Sequence, residues 1–151
     1  VNAAARTPEA ADTQKELYDL LSLYCENHRR LLSLSKRKTE VLLRGDVDAL
    51  GEVMNTEMPL LMELGNLESR WEDIRRRTGA QADFQNCDGA ARAGLEDFSL
   101  HHLTDSLSRM ARELQKINNV NKAILETRLS TIRYMGSMLG VDQGALTYQK
   151  P

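Results

Sequence analysis

No feature of this chain limits its fold more than the spacing of apolar residues between Leu50 and Ile74. Leu50, Val53, Glu57, Leu60, Leu64, Leu67, Trp71 and Ile74 alternate steps of three and four without a slip. That is the period of a helix which buries one stripe against another helix, as in a coiled coil. A single stripe needs a partner, so the chain must supply other long helices or find them elsewhere.

It supplies two. Thr7-Pro8-Glu9 reads as a helix start, with a hydroxyl cap, proline in the first turn and an acid near the positive end; Asp12 and Thr13 are alternative caps. From there Leu17, Leu20, Leu21, Tyr24, Leu31, Leu34, Val41 and Leu42 keep helical spacing up to Arg44-Gly45-Asp46. Glycine can end one helix there and aspartate cap the next, which makes a tight helical hairpin. Further on, Leu103, Leu107, Met110, Leu114, Ile117 and Asn121 continue into Ile124 or Leu125, Leu129, Ile132, Met135 and Leu139. The expected elements are a helix over 8–44, a helix over 46–78, a loop over 79–94, a helix over 99–139 and a tail over 140–151. Ser99 and Thr104 are candidate caps for the third helix. Pro59 lacks an N–H and crowds the carbonyl of residue 55, so the second helix should kink, or break briefly, near Met58.

The fold class that follows is all-α: an elongated antiparallel three-helix bundle with coiled-coil-like packing and a flexible C-terminal tail, forming a single domain over 1–151. Helices of about 35 to 40 residues would be about 50 to 60 Å long. Composition agrees, with one Trp, two Phe and four Tyr against six Met, and 28% charged residues. No apolar run reaches the roughly 18 residues of a membrane span, and no signal-peptide pattern opens the chain, so a soluble, cytoplasmic protein without membrane insertion is expected. Cys25 and Cys87 form no disulfide framework or paired zinc motif, and reduced thiols are the default reading, with a single disulfide left open.

Catalytic chemistry finds little support. None of His28, His101 and His102 follows a glutamate by three residues, which removes the Glu-x-x-His signature of di-iron bundles. Cys25 with His28, and Asp97 with His101, could share helix faces, but two ligands do not close a zinc site. No phosphate loop or nucleophile constellation stands out, so no enzyme activity, metal or cofactor is expected. Arg29, Arg30, Lys36, Arg37, Lys38 and Arg44 face Glu40 alone in their stretch, and Arg75-Arg76-Arg77 follows Glu72-Asp73. Cations near helix C-termini interact with the dipole, and no aromatics lie between them, so solvated charge is favoured over nucleic-acid binding.

Polar residues within the seams carry more information. Lys38 lies in a first-helix seam (Leu17, Leu21, Tyr24, His28, Leu31, Ser35, Lys38, Leu42), and folding the hairpin at Gly45 brings Glu57 close to it. The two either pair, setting register more than stability, or reach solvent along the rim. Asn121 interrupts the third seam and Asn118 lies beside it; a seam asparagine sacrifices stability to select a register and partners. Their amides are matched either by another helix or by the backbone of a bound protein.

In order, these features resemble the FlgN family of flagellar export chaperones. "LLSLSKRKTEVLLRGDVDALGEVMNTEMPLLMELGNLESRWEDI" is similar to the family's hairpin, with a lysine before the turn, a Gly-Asp turn, a seam glutamate and Leu-Glu-x-Arg. The second half resembles its Asn-x-x-Asn helix, here Asn118 and Asn121 followed by Ile124-Leu125, then Thr147-Tyr148. The likeness spans about Leu17 to Tyr148. Pro59 departs from the family pattern, and the loop over 79–94 has no counterpart.

The resemblance implies a chaperone that binds the C-terminal amphipathic region of the hook–filament junction proteins FlgK and FlgL, and delivers them to the type III export gate and the export ATPase components around it. Asn118, Asn121, Ile124, Leu125, Leu129, Ile132 and Met135 would bind cargo, or else complete the core; Tyr148 would dock on the gate, or end the chain without a role. Methionines such as Met135 and Met138 adapt to irregular partners. Wide apolar stripes also allow a homodimer. Other readings are a helical adaptor or export chaperone with different cargo and, behind it, a bundle binding nucleic acid or anionic membrane.

Overall fold

The computed structural model describes residues 8–78 and 98–140. Thr7, Leu95, Asp97, the expected loop over 79–94 with Cys87, and the residues from Val141 onward, Tyr148 among them, lie outside that set. The described residues form three helices and no strand: α1 over Pro8–Arg44, α2 over Val47–Thr78 and α3 over Phe98–Met138.

Each boundary has a local cause. Gly45 takes φ +75°, and its N–H and that of Asp46 reach back to the Val41 carbonyl at 3.0 and 3.3 Å, the Gly45 N–H also lying 3.3 Å from the Leu42 carbonyl, so that two of the last carbonyls of α1 are satisfied. The Asp46 carboxylate then accepts from the Ala49 N–H at 2.9 Å and caps α2. Gly140, at φ +68°, ends α3 in the same left-handed conformation. One expectation changes. Asp12, Thr13, Ser99 and Thr104 lie inside helices instead of capping them, and the Thr104 hydroxyl bonds back to the His101 carbonyl at 2.9 Å. Of the two outcomes expected at Pro59, the break does not occur: α2 continues through the proline, whose ring sits on an exposed flank.

α1 is the hub. Glu16 meets Arg77, Tyr24 meets Glu68 and Lys38 meets Glu57, so α2 runs antiparallel to α1. Cys25 meets Leu103, Ser35 meets Asn118, Thr39 meets Asn121 and Leu43 meets Arg128, so α3 runs parallel to it. The core joins Leu17, Leu20, Leu21 and Tyr24 of α1 to Leu60, Leu64, Leu67, Trp71 and Ile74 of α2 and to Leu107 and Met110 of α3. Fully burying such a side chain is worth about 1.5–3 kcal/mol. Among the described residues, no Cα of α2 comes within 8 Å of one of α3. The bundle is therefore open along one side, and no helix in it is long and apolar enough to cross a membrane.

Candidate functional site

The stagger of α3 creates the site. With Leu43 level with Arg128, the residues Leu129 to Met138 continue past the end of α1, roughly 15 Å at the rise of an α-helix. Their stripe consequently loses its neighbour. Leu125, Leu129, Ile132 and Met135 are 39, 50, 54 and 56% exposed, and Tyr134 and Met138 are more so.

Below this overhang lies an apolar groove of about 360 Å³, walled on α3 by Leu125, Arg128, Leu129, Thr131 and Ile132, and on the hairpin by Val41, Leu42, Gly45, Asp46, Val47 and Leu50. Arg128 fixes its inner edge. One guanidinium nitrogen donates to the Leu43 carbonyl at 2.6 Å, a further tie on the C-terminus of α1, and another lies where a Cβ on Gly45 would be, 2.6 Å away.

The residues singled out in the sequence divide here. Asn121 is buried, its amide nitrogen donating to the Ser35 carbonyl at 3.1 Å and its oxygen accepting from the Thr39 hydroxyl at 2.6 Å. Both functions of that amide are thus met by α1. Asn118 accepts from Ser35 Oγ at 3.4 Å while staying exposed, and Ile124 is half-buried. Leu125, Leu129 and Ile132 share the groove, Met135 lies just beyond it, and Tyr148 is outside the described residues. The hairpin wall was missed, because a turn sequence read alone shows no docking role. Its signal was Val47, which lies outside the α2 seam yet repeats at Met54 and Leu61.

Elsewhere several charges pair within the bundle. Lys38 and Glu57 pair with side chains only 18 and 14% exposed, Lys36 reaches Glu113 at 2.6 Å, and Arg77 reaches Glu16 at 2.8 Å. Arg75 grips Glu72 with two bonds, at 2.8 and 2.6 Å, and this holds the Glu72 carboxyl below its usual range. Burial raises the Tyr24 phenol well above its ordinary value, helped by the charge and hydrogen bond of Glu68 at 3.1 Å. The His28 imidazole stacks on Tyr24 at 4.5 Å and is pushed down by burial, against weaker opposing pulls from the Tyr24 carbonyl and Glu68. Cys25 donates its thiol to the Leu103 carbonyl at 3.5 Å. Among the described residues no three His, Cys, Asp or Glu side chains are grouped to hold a metal.

What the arrangement presents is an exposed apolar surface along α3 above a groove. A Bacillus subtilis (strain 168) protein, the uncharacterized protein YvyG, is 26% identical over 141 residues, which cover 90% of this chain and 86% of the relative. No solved structure matches. The FlgN protein family matches residues 13–151, nearly the whole chain and all three helices that line the groove. The chain belongs to the FlgN family and is, by that membership, a flagellar export chaperone, of a family of chaperones and not of enzymes.

Proposed function

We propose that this chaperone works in the cytoplasm, holding the C-terminal amphipathic region of FlgK and FlgL on the exposed face of α3 and carrying it to the type III export gate, with Tyr148 as the docking residue. The observation that supports this most is the continuous exposed stripe of Leu125, Leu129, Ile132 and Met135 above an apolar groove. A cargo helix that packs only in the finished filament exposes a matching stripe beforehand, and helix-in-groove packing covers both. Asn121, engaged by α1, acts in this reading by setting the height of α3, while Asn118 and Ile124 border the cargo.

The test is isothermal titration with C-terminal peptides of FlgK and FlgL from the same organism, about 40 residues long to match the length of α3 as a helix. Saturable binding with a negative heat-capacity change is expected, lost in the Leu129→Glu/Ile132→Glu variant at unchanged helicity. Absence of binding to either peptide would sink the cargo assignment. For Tyr148→Ala, affinity for the gate's cytoplasmic domain should fall when cargo is bound; an unchanged value removes the docking role.

A further inference from the structure

The groove has a second wall that runs further along α2. Val47, Met54 and Leu61 are seven residues apart, Gly51 and Met58 fall between them at steps of four and three, and Gly65 follows Leu61 by four. Met54, Met58 and Leu61 each follow a position of the α1-facing seam by one residue, so this stripe lies about 100° around the helix from that seam. Val47, Met54, Met58, Leu61 and the neighbouring Met62 are exposed, and a Cβ placed on Gly51 or Gly65 meets nothing within 4 Å.

Two clefts show which way the stripe faces. Thr56, Pro59 and Glu63, on the other flank of α2, share a cleft with Arg30, Ser33 and Leu34 of α1. Val47 instead shares its groove with Leu125, Leu129 and Ile132. The methionine stripe thus lies on the α3 side, across a gap that no close α2–α3 packing fills among the described residues.

The helices bounding the gap have opposite charge. From Val47 to Ser69, α2 carries five acids and no Lys or Arg; Glu63 and Glu52 lie towards the other flank and Glu57 pairs with Lys38, which leaves Glu68, one residue past the seam position Leu67, on the methionine flank. From Ser106 to Met135, α3 carries Arg109, Arg112, Lys116, Lys122, Arg128 and Arg133 against Glu113 and Glu126. A helix lying between them is best matched when its two edges differ in sign. Helix α2 or α3 of a second copy would instead set like charges against one of the walls.

We propose that Met54, Met58 and Leu61 form the second wall of the docking groove, so that the partner enters as a fourth helix between α2 and α3. Its apolar stripe faces the gap, its basic edge lies along α2 and its acidic edge along α3. This deepens the reading of α3 as the cargo surface and rests on it.

The experiment compares the full-length wild-type chain with three variants, Met54→Glu/Met58→Glu, Leu129→Glu/Ile132→Glu, and the control Thr56→Glu/Asn66→Glu on the other flank of α2. Each is titrated with the FlgK C-terminal peptide, after circular dichroism has shown unchanged helicity. The two methionine substitutions should weaken binding at least about tenfold, and the control should not. Wild-type affinity in the methionine variant, with loss in the Leu129/Ile132 variant, overturns the second wall and leaves the α3 reading standing. Wild-type affinity in the Leu129/Ile132 variant overturns that reading itself. Carbodiimide coupling should join peptide lysines to α2 carboxylates and peptide carboxylates to Lys116 or Lys122; the reverse pattern overturns the assigned polarity. A dimer of the free chain that Met54→Glu/Met58→Glu dissociates, with peptide affinity unchanged, would assign the stripe to a second copy instead.

Discussion

Thr39 on α1 and Asn121 on α3 share a hydrogen bond of 2.6 Å, the hydroxyl donating to the amide oxygen. The same amide donates to the Ser35 carbonyl one turn below, so a single side chain sets the height of α3 along α1. Asn121→Ala should lower the unfolding free energy by about 1–3 kcal/mol, since two interhelical hydrogen bonds of about 0.5–1.5 kcal/mol each are lost, while Thr39 keeps its bond to the Ser35 carbonyl at 3.1 Å. Urea unfolding followed by circular dichroism measures it, and an unchanged midpoint would remove Asn121 from the role of register key.

Lys38 and Glu57 make a nearly buried ion pair in the hairpin seam. Truncating one partner strands the other charge, so Lys38→Ala should cost about 3 kcal/mol, the lower end for a buried pair. Lys38→Met with Glu57→Met should restore most of that loss, because both desolvation penalties vanish together. If the double variant is less stable than the single one, the pair stabilises the hairpin outright.

Gly45 faces two obstacles to substitution, its left-handed backbone and the Arg128 guanidinium. Gly45→Ala should destabilise by roughly 1–2 kcal/mol from backbone strain alone, with a further increment from the clash. Adding Arg128→Ala should recover only the clash increment. A double-mutant cycle on urea midpoints separates the two, and strict additivity would show that the arginine simply swings away.

Burial holds the His28 imidazole below its ordinary proton affinity. The unfolded chain therefore takes up a proton first, near pH 6.5. The associated stability is present above that value and is lost as pH falls through the window below it. His28→Gln should flatten the midpoint between about pH 7 and 5. Tyr24 and Glu68 face this ring and stay in place in the variant, so a slope that survives belongs to other groups.

Asn27 is fully buried, and neither its amide oxygen nor its nitrogen has a hydrogen-bond partner among the described residues. An unmatched buried amide costs on the order of 1–3 kcal/mol. Asn27→Leu, which keeps the number and branching of the side-chain heavy atoms while removing the unmatched polar ones, should therefore raise the urea midpoint. A lower midpoint would mean that the amide is satisfied within the folded protein.

Much of the fold could be read because one period carries it. Every α2 seam position from Val53 to Ile74 is buried except Glu57, and the Gly45–Asp46 turn announces itself by residue type. Counting along that hairpin brought Glu57 within reach of Lys38 but left open whether they pair or reach solvent; in the structure they pair. The candidate site was only half legible. Leu125, Leu129 and Ile132 sit one residue past the heptad positions of the buried Leu107 and Met110, a slip after Asn121 that by itself does not mark where burial stops. That point depends on where α1 ends relative to α3, a stagger that the helical period does not encode. The open side was hidden for a related reason: a stripe on one helix says that it needs a neighbour, not which neighbour or at what angle.

The overhanging end of α3 also governs how a bound segment would leave. Its hydroxyls, on Thr127, Ser130, Thr131 and Ser137, all bond to carbonyls three or four residues back, and Thr, Ser, Ile, Tyr and Gly are weaker helix formers than alanine. Its helicity therefore leans on local bonds. Lifted sideways from the free end, a ligand there can be peeled one turn at a time, each step opposed by a small part of the total attachment. The same ligand pulled along the helix axis loads every contact at once in shear, so the grip depends on the direction of the pull.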